Sequence, residues 1–235
     1  MATQQTLSWI ERVKLIFKDP KAFFDMVAPE PTIWRAYWCW AVLAGIMTAL
    51  TLPINYLSMK DAGGAMASGG GFLFAFLVVM CVISVFFGQF IMAGVTHLGV
   101  LIVGGKKGFV STFKAVVYPY LVSAGYMLIS IPLAFISFAL TKGSPVQMME
   151  VMKQSFPVFI IFALSMVVGL ANFVHMIHVG IVGLKRLQDL STGRAVVALI
   201  VIPLVIIFVL ALILIFIGAL FIAAMYGPKV MPTVT

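Results

Sequence analysis

From Ala195 to Tyr226 the chain runs 32 residues without a charged side chain, and nearly all of them are aliphatic. At about 1.5 Å of rise per residue, a helix of that length crosses a hydrocarbon core about 30 Å thick. Four earlier runs of the same kind, about 34–57, 72–103, 115–140 and 157–184, precede it. Hydrophobic residues make up 63% of the chain and charged residues 9%. A soluble domain carries about 25% charged residues, so this chain cannot cover a water-facing surface. The expected fold is all-α and polytopic, with five transmembrane helices: a cytoplasmic amphipathic segment over 1–33, a five-helix domain over 34–226 and a short external tail over 227–235.

The connectors between the runs carry a repeat. Ser111-Thr112-x-Lys114-Ala115-Val116-Val117 aligns with Ser191-Thr192-x-Arg194-Ala195-Val196-Val197 at an offset of 80 residues, and His97/Gly99 aligns with His178/Gly180 at one residue more. In each copy an apolar helix arrives, a basic residue marks the water boundary, and Ser-Thr hydroxyls are placed to satisfy the free N–H groups of the next helix. Eleven of the 15 Lys and Arg fall in the N-terminal segment, the second connector and the fourth. Cytoplasmic connectors hold the excess positive charge, which puts the N-terminus and both repeated turns in the cytoplasm and the C-terminus outside. Two hairpins of like orientation imply an approximate two-fold axis along the membrane normal. The net charge of +8 is therefore read as topology, with no nucleic-acid partner.

Ahead of the first run, Glu11, Lys18, Asp19, Asp25 and Glu30 interrupt any apolar signal core. Ser8-x-x-Glu11 forms a capping box and Asp19-Pro20 restarts a helix. Trp9, Ile10, Val13, Ile16 and Phe17 recur at helical spacing against Glu11, Arg12, Lys14 and Lys18. Such a segment suits a bilayer surface with anionic lipid; packing beneath the bundle would give the same pattern. On the first run, Trp34, Tyr37, Trp38 and Trp40 are interfacial aromatics, and Ala41, Gly45 and Ala49 form a small-residue stripe for close helix contact or a homo-oligomer. Pro132 should bend the third span.

No Asp, Glu, Lys or Arg lies deep in a span, which weighs against ion-driven transport. Gln89 and Asn172 are at similar depth and form a candidate polar seam between the second and fourth spans, close enough in register to bond one another. His97, His175 and His178 all lie near the basic end of their helices, and a meeting of the three would make a metal or pH-sensitive cluster. No carboxylate at that depth orients them, so no metal or other cofactor is assigned. Cys39 and Cys81 read as apolar fillers. No nucleophile elbow, P-loop, dinucleotide fingerprint or zinc helix occurs, and an enzyme is not expected.

The order of parts resembles the Yip family (Ypt-interacting proteins, the Yip-one domain), prokaryotic type. Pro20-Lys21-x-Phe23-Phe24 precedes five spans. His97-Leu98, Gly104-Gly105-x-x-Gly108-Phe109-x-x-Thr112-Phe113 and Tyr118-Pro119 follow in the second turn, and Gly183-Leu184, Leu190-Ser191 and Ala195 in the fourth. The Asp-Leu-Tyr-Gly-Pro segment of eukaryotic members is absent. The resemblance implies a non-enzymatic scaffold or adaptor in the prokaryotic cytoplasmic membrane, concerned with membrane organisation or trafficking. Its docking surface for anionic lipid headgroups or a cytoplasmic protein would be the basic face of Arg12, Lys14, Lys18, Lys21, Lys106, Lys107, Lys114, Lys185, Arg186 and Arg194. The competing expectation is a small carrier or lipid-translocating protein using the polar seam.

Overall fold

The computed structural model describes residues 8–62, 70–140 and 155–226. Lys142, Lys153 and Lys229, three of the four lysines outside the basic connectors, and the expected external tail over 227–235 lie outside these residues. Two short helices lead: α1 (Trp9–Lys18) and α2 (Pro20–Val27). Then come α3 (Trp34–Ala62), α4 (Gly70–Ile102), α5 (Gly108–Val117), α6 (Tyr120–Leu140), α7 (Phe156–Gln188), α8 (Thr192–Val196), a π-helical turn (Val197–Val201) and α9 (Ile202–Tyr226). Among the described residues four stretches are long and apolar enough to cross a membrane: Val78–Ile102, Gly108–Leu140, Phe156–Gln188 and Thr192–Phe221. The 29-residue α3, on which a fifth crossing rests, is not among them.

The helix boundaries follow local chemistry. Ser8 and Glu11 form the reciprocal capping box at the start of α1. The Asp19 carboxylate accepts the Ala22 N–H at 3.0 Å to open α2, with Pro20 in its first turn. Pro119 separates α5 from α6, while Pro203 lies just after the π-turn. A proline ring has no N–H to give and crowds the carbonyl four residues back. Widening the turn to five-residue spacing is one way to accommodate that loss.

The two repeated hairpins pack reciprocally. α5, which follows the first turn, lies on α7, and the π-turn that follows the second lies on α4. At this crossing Gly99 sits so close to the backbone of Ala198 that a Cβ would come within 2.7 Å of its carbonyl oxygen. Gly180, its counterpart, instead meets the tip of Leu199 and the ring of Pro119.

The core lies at the basic end of the bundle. Ile16, Phe23, Phe24, Val27, Phe113 and Tyr118 are fully buried there, whereas α9 exposes nearly all its large aliphatic side chains. Such an outward apolar surface belongs in lipid. On α3 the aromatic group divides: Tyr37 and Trp40 are buried, Trp34 and Trp38 exposed. No side chain or backbone of the described residues approaches the Gly45 position, so the small-residue stripe makes no close helix contact within the chain there.

Candidate functional site

The amphipathic α1 and α2 dock beneath the bundle. Gly183 and Gly125 leave room for their aromatics: a Cβ at Gly183 would come 2.7 Å from the Phe24 ring, and one at Gly125 would come 2.5 Å from Phe17. Phe23 stacks edge-on against Tyr118 at 5.0 Å, and Phe17 edge-on against His175 at 5.0 Å. Apolar side chains gain similar free energy from protein or lipid surroundings, since lipid tails are as apolar as a leucine core. Burial alone therefore does not choose the bundle over the bilayer surface.

A polar latch makes that choice. The last carbonyls of a helix have no partner within it and carry the negative end of its dipole. Lys114, 1% exposed, points its ammonium at this end of α2. Its Nζ donates to the carbonyls of Val27 at 2.9 Å and Ala28 at 3.3 Å, and to that of Glu30. One turn on, Tyr118 Oη donates to Glu30 Oε2 at 2.7 Å. Arg12 Nη2 and Arg35 Nη1 reach Glu30 Oε1 at 3.0 and 3.2 Å. Burial pushes the Glu30 carboxyl up, but the hydrogen bonds from Tyr118 and Arg12 outweigh it and hold the group below its ordinary range. Burial likewise works against the Arg12 charge, and the hydrogen bond to Glu30 overcomes it, leaving its pKa raised.

Two residues of the expected basic face are therefore not on it. Arg12 and Lys114 are interior, because each has a carboxylate or a set of carbonyls to satisfy. Lys14, Lys18, Lys21, Lys106, Lys107, Lys185, Arg186 and Arg194 are exposed. Lys107 pairs with Asp189, Lys185 donates to the Thr192 hydroxyl at 2.7 Å, and Arg186 stands 3.8 Å from Asp25. A cavity of about 210 Å³ opens between α2 and the end of α7, with Lys21, Lys185 and Arg186 on its wall.

Gln188 joins the two repeated turns. Its Oε1 accepts the Lys107 N–H at 2.9 Å, and its Nε2 donates to the Gly108 carbonyl at 2.9 Å and to Thr112 Oγ1 at 3.0 Å. The expected Ser-Thr cap is present only in the second copy, where Ser191 Oγ accepts from the Arg194 N–H. In the first copy the helix has already begun at Gly108, so Thr112 lies inside it and bonds Gln188 and His97 instead.

The polar seam is not formed as expected. Asn172 accepts from Ser123 Oγ at 3.2 Å, whereas Gln89 Oε1 is buried with no partner among the described residues. Asn172 does reach a cavity of about 250 Å³, but its walls come from α3, α6 and α7, the first, third and fourth spans; the second span and its Gln89 contribute nothing to it. Nor do the three histidines gather at one site, and His178 is exposed. His97 Nδ1 is 2.9 Å from Thr112 Oγ1 and its ring meets Phe109, while His175 lies against Phe17 and Tyr126. Among the described residues no group of three or more His, Cys, Asp or Glu is placed to hold a metal.

Sequence reasoning did not single out Glu30, Tyr118 or Gln188 as partners. A signal was available for Glu30, an acidic residue at the foot of the first long apolar helix with Arg12 and Arg35 nearby in sequence. For Gln188 there was none.

Known proteins bear on this arrangement at one point. No curated protein and no solved structure matches the chain. Residues 14–215 match the model of the Yip1 domain, a stretch that holds half of α1, Glu30, Lys114 and Tyr118 of the latch, both repeated turns and over half of α9. The chain is a multi-pass membrane protein that belongs to the Yip1-domain family.

Proposed function

We propose that the protein is a non-catalytic membrane scaffold whose basic end docks anionic surfaces. One observation carries the reading: the latch fixes α1 and α2 to the bundle, so that Lys14, Lys18 and Lys21 share a fixed frame with the lysines and arginines of the repeated turns. A flexible basic arm pays ordering entropy on binding; a pre-ordered face does not. Each exposed cation near an anionic leaflet contributes about 1 kcal/mol, enough in sum to recruit a second surface. Orientation belongs to the same proposal: α3 is a fifth crossing, and the basic end is cytoplasmic, with the chain in a prokaryotic cytoplasmic membrane. It follows that a membrane-impermeant amine reagent applied to one side of sealed vesicles reaches either Lys60 or Lys106 and never both.

Docking is tested with the full chain in phosphatidylcholine proteoliposomes mixed with free vesicles. Capture of vesicles containing phosphatidylglycerol, absent with pure phosphatidylcholine and lost as added salt shortens the screening length, is the expected result. Equal capture of both, or capture of neither while a cytoplasmic protein binds, overturns the lipid reading.

A further inference from the structure

The cavity between α2 and the last turn of α7 is more than part of a general positive surface. We propose that it holds the phosphate of an anionic lipid headgroup from the protein's own bilayer; this deepens the docking reading above and rests on it.

The cavity measures about 210 Å³ and is lined by Lys21, Val182, Lys185, Arg186 and Leu190. A single water needs only about 10–15 Å³ of such space, so a much larger polar group fits. Three cations converge from two helices. The nearest carboxylates leave them largely unneutralised. Asp25 stands 3.8 Å from Arg186, and Asp189 is taken by Lys107. Lys185 keeps two of its three ammonium donors free of its bond to Thr192, and Lys21 has no ion pair or hydrogen bond among the described residues.

The helix dipole accounts for part of this arrangement. Lys185 and Arg186 belong at the C-terminal end of α7, where cations are stabilising. Lys21 does not fit that account, because it sits in the first turn of α2, the positive end of that dipole. An anion in the cavity would offset this unfavourable placement and accept charge-assisted bonds from both helices. A lipid phosphate suits the surroundings better than a free one. The wall contributed by Val182 and Leu190 is apolar, and the cavity lies at the end of a helix long and apolar enough to span the bilayer, the end at which such a helix meets the headgroups.

The test uses the full chain in phosphatidylcholine vesicles containing spin-labelled phosphatidylglycerol or spin-labelled phosphatidylcholine, with the motionally restricted fraction read by electron paramagnetic resonance. Loss of about 1 kcal/mol per cation means that Lys21→Gln alone lowers the preference for phosphatidylglycerol about fivefold, and Lys21→Gln/Lys185→Gln/Arg186→Gln removes it. Lys14→Gln/Lys106→Gln/Lys107→Gln takes the same charge from outside the cavity; it weakens vesicle capture in the docking assay above, as expected of the face, and leaves most of the motionally restricted phosphatidylglycerol in place. All six positions are exposed, so the thermal midpoint stays unchanged and confirms folding. Equal losses from the two triple variants overturn the pocket while sparing general docking by the face; no loss from either overturns both. Displacement of the labelled lipid by millimolar inorganic phosphate assigns the cavity to free phosphate and overturns the lipid proposal.

Discussion

The two repeated turns begin from nearly the same sequence and end in different jobs. Lys114 and Arg194 are equivalent by the 80-residue offset, yet Lys114 is buried with its ammonium on the end of α2 and Arg194 is exposed. Tyr118 binds Glu30, while Ala198 at the equivalent position packs against Gly99. The first turn has become the seat for the N-terminal helices, and the second supplies Gln188 to hold the first in place. A repeat in sequence thus marks a shared backbone path without marking a shared role. The role is set by what the neighbouring elements bring: the end of α2 and the Glu30 that follows it offer carbonyls and a carboxylate to Lys114 and Tyr118 of the first copy.

Neutralising the equivalent positions breaks the comparison most sharply. Lys114→Met leaves the carbonyls at the end of α2 buried without their donor, and each such loss is worth about 1–3 kcal/mol. The expected destabilisation is about 3 kcal/mol, read as a lowered thermal midpoint in detergent. Arg194→Met stays within about 0.5 kcal/mol, as surface changes do. Gln188→Leu follows, at about 2 kcal/mol, since it orphans the Lys107 N–H and the Gly108 carbonyl. A double variant with Thr112→Val departs from additivity, because the two side chains share a hydrogen bond.

Smaller effects separate the paired glycines. A methyl at Gly99 meets backbone of Ala198, which only a shift of the helices relieves, whereas one at Gly180 meets the mobile tip of Leu199. Gly99→Ala is expected to destabilise by about 1–2 kcal/mol and Gly180→Ala by less. The smallest effect is acid sensitivity confined to the first turn. Glu30 has a lowered folded pKa, so its contribution is present above the ordinary value of 4.5 and fades as the pH falls through the folded value. Parent protein should lose stability in that acid range, and Glu30→Gln, already destabilised at neutral pH, should lose less on the same titration.

Much of this was legible in the chain. The capping box at Ser8 and Glu11, the Asp19-Pro20 restart, the long apolar helices and the repeat follow from hydroxyl, proline and hydrophobic patterns that act over a few residues. What the pattern could not decide was whether Phe23, Phe24 and Val27 face lipid or protein, because both are apolar. The deciding contacts, Lys114 to α2 and Tyr118 to Glu30, join residues more than 80 positions apart. The histidine cluster and the Gln89–Asn172 pair failed for the same reason: equal depth along two helices fixes height and leaves rotation about each axis open. Arg12 and Lys114 looked like surface charges because Tyr118, which Arg12 meets, lies 106 positions away and the partners of Lys114 are backbone carbonyls.

The central claim is that Lys114 fixes α1 and α2 to the bundle. Hydrogen exchange over residues 9–27, measured in neutral-lipid nanodiscs for the parent, Lys114→Met and Arg194→Met, tests it most directly. The latch predicts strong protection in the parent, loss of it in Lys114→Met and no change in Arg194→Met. Protection that survives Lys114→Met intact, or that is missing from the parent, would contradict the account.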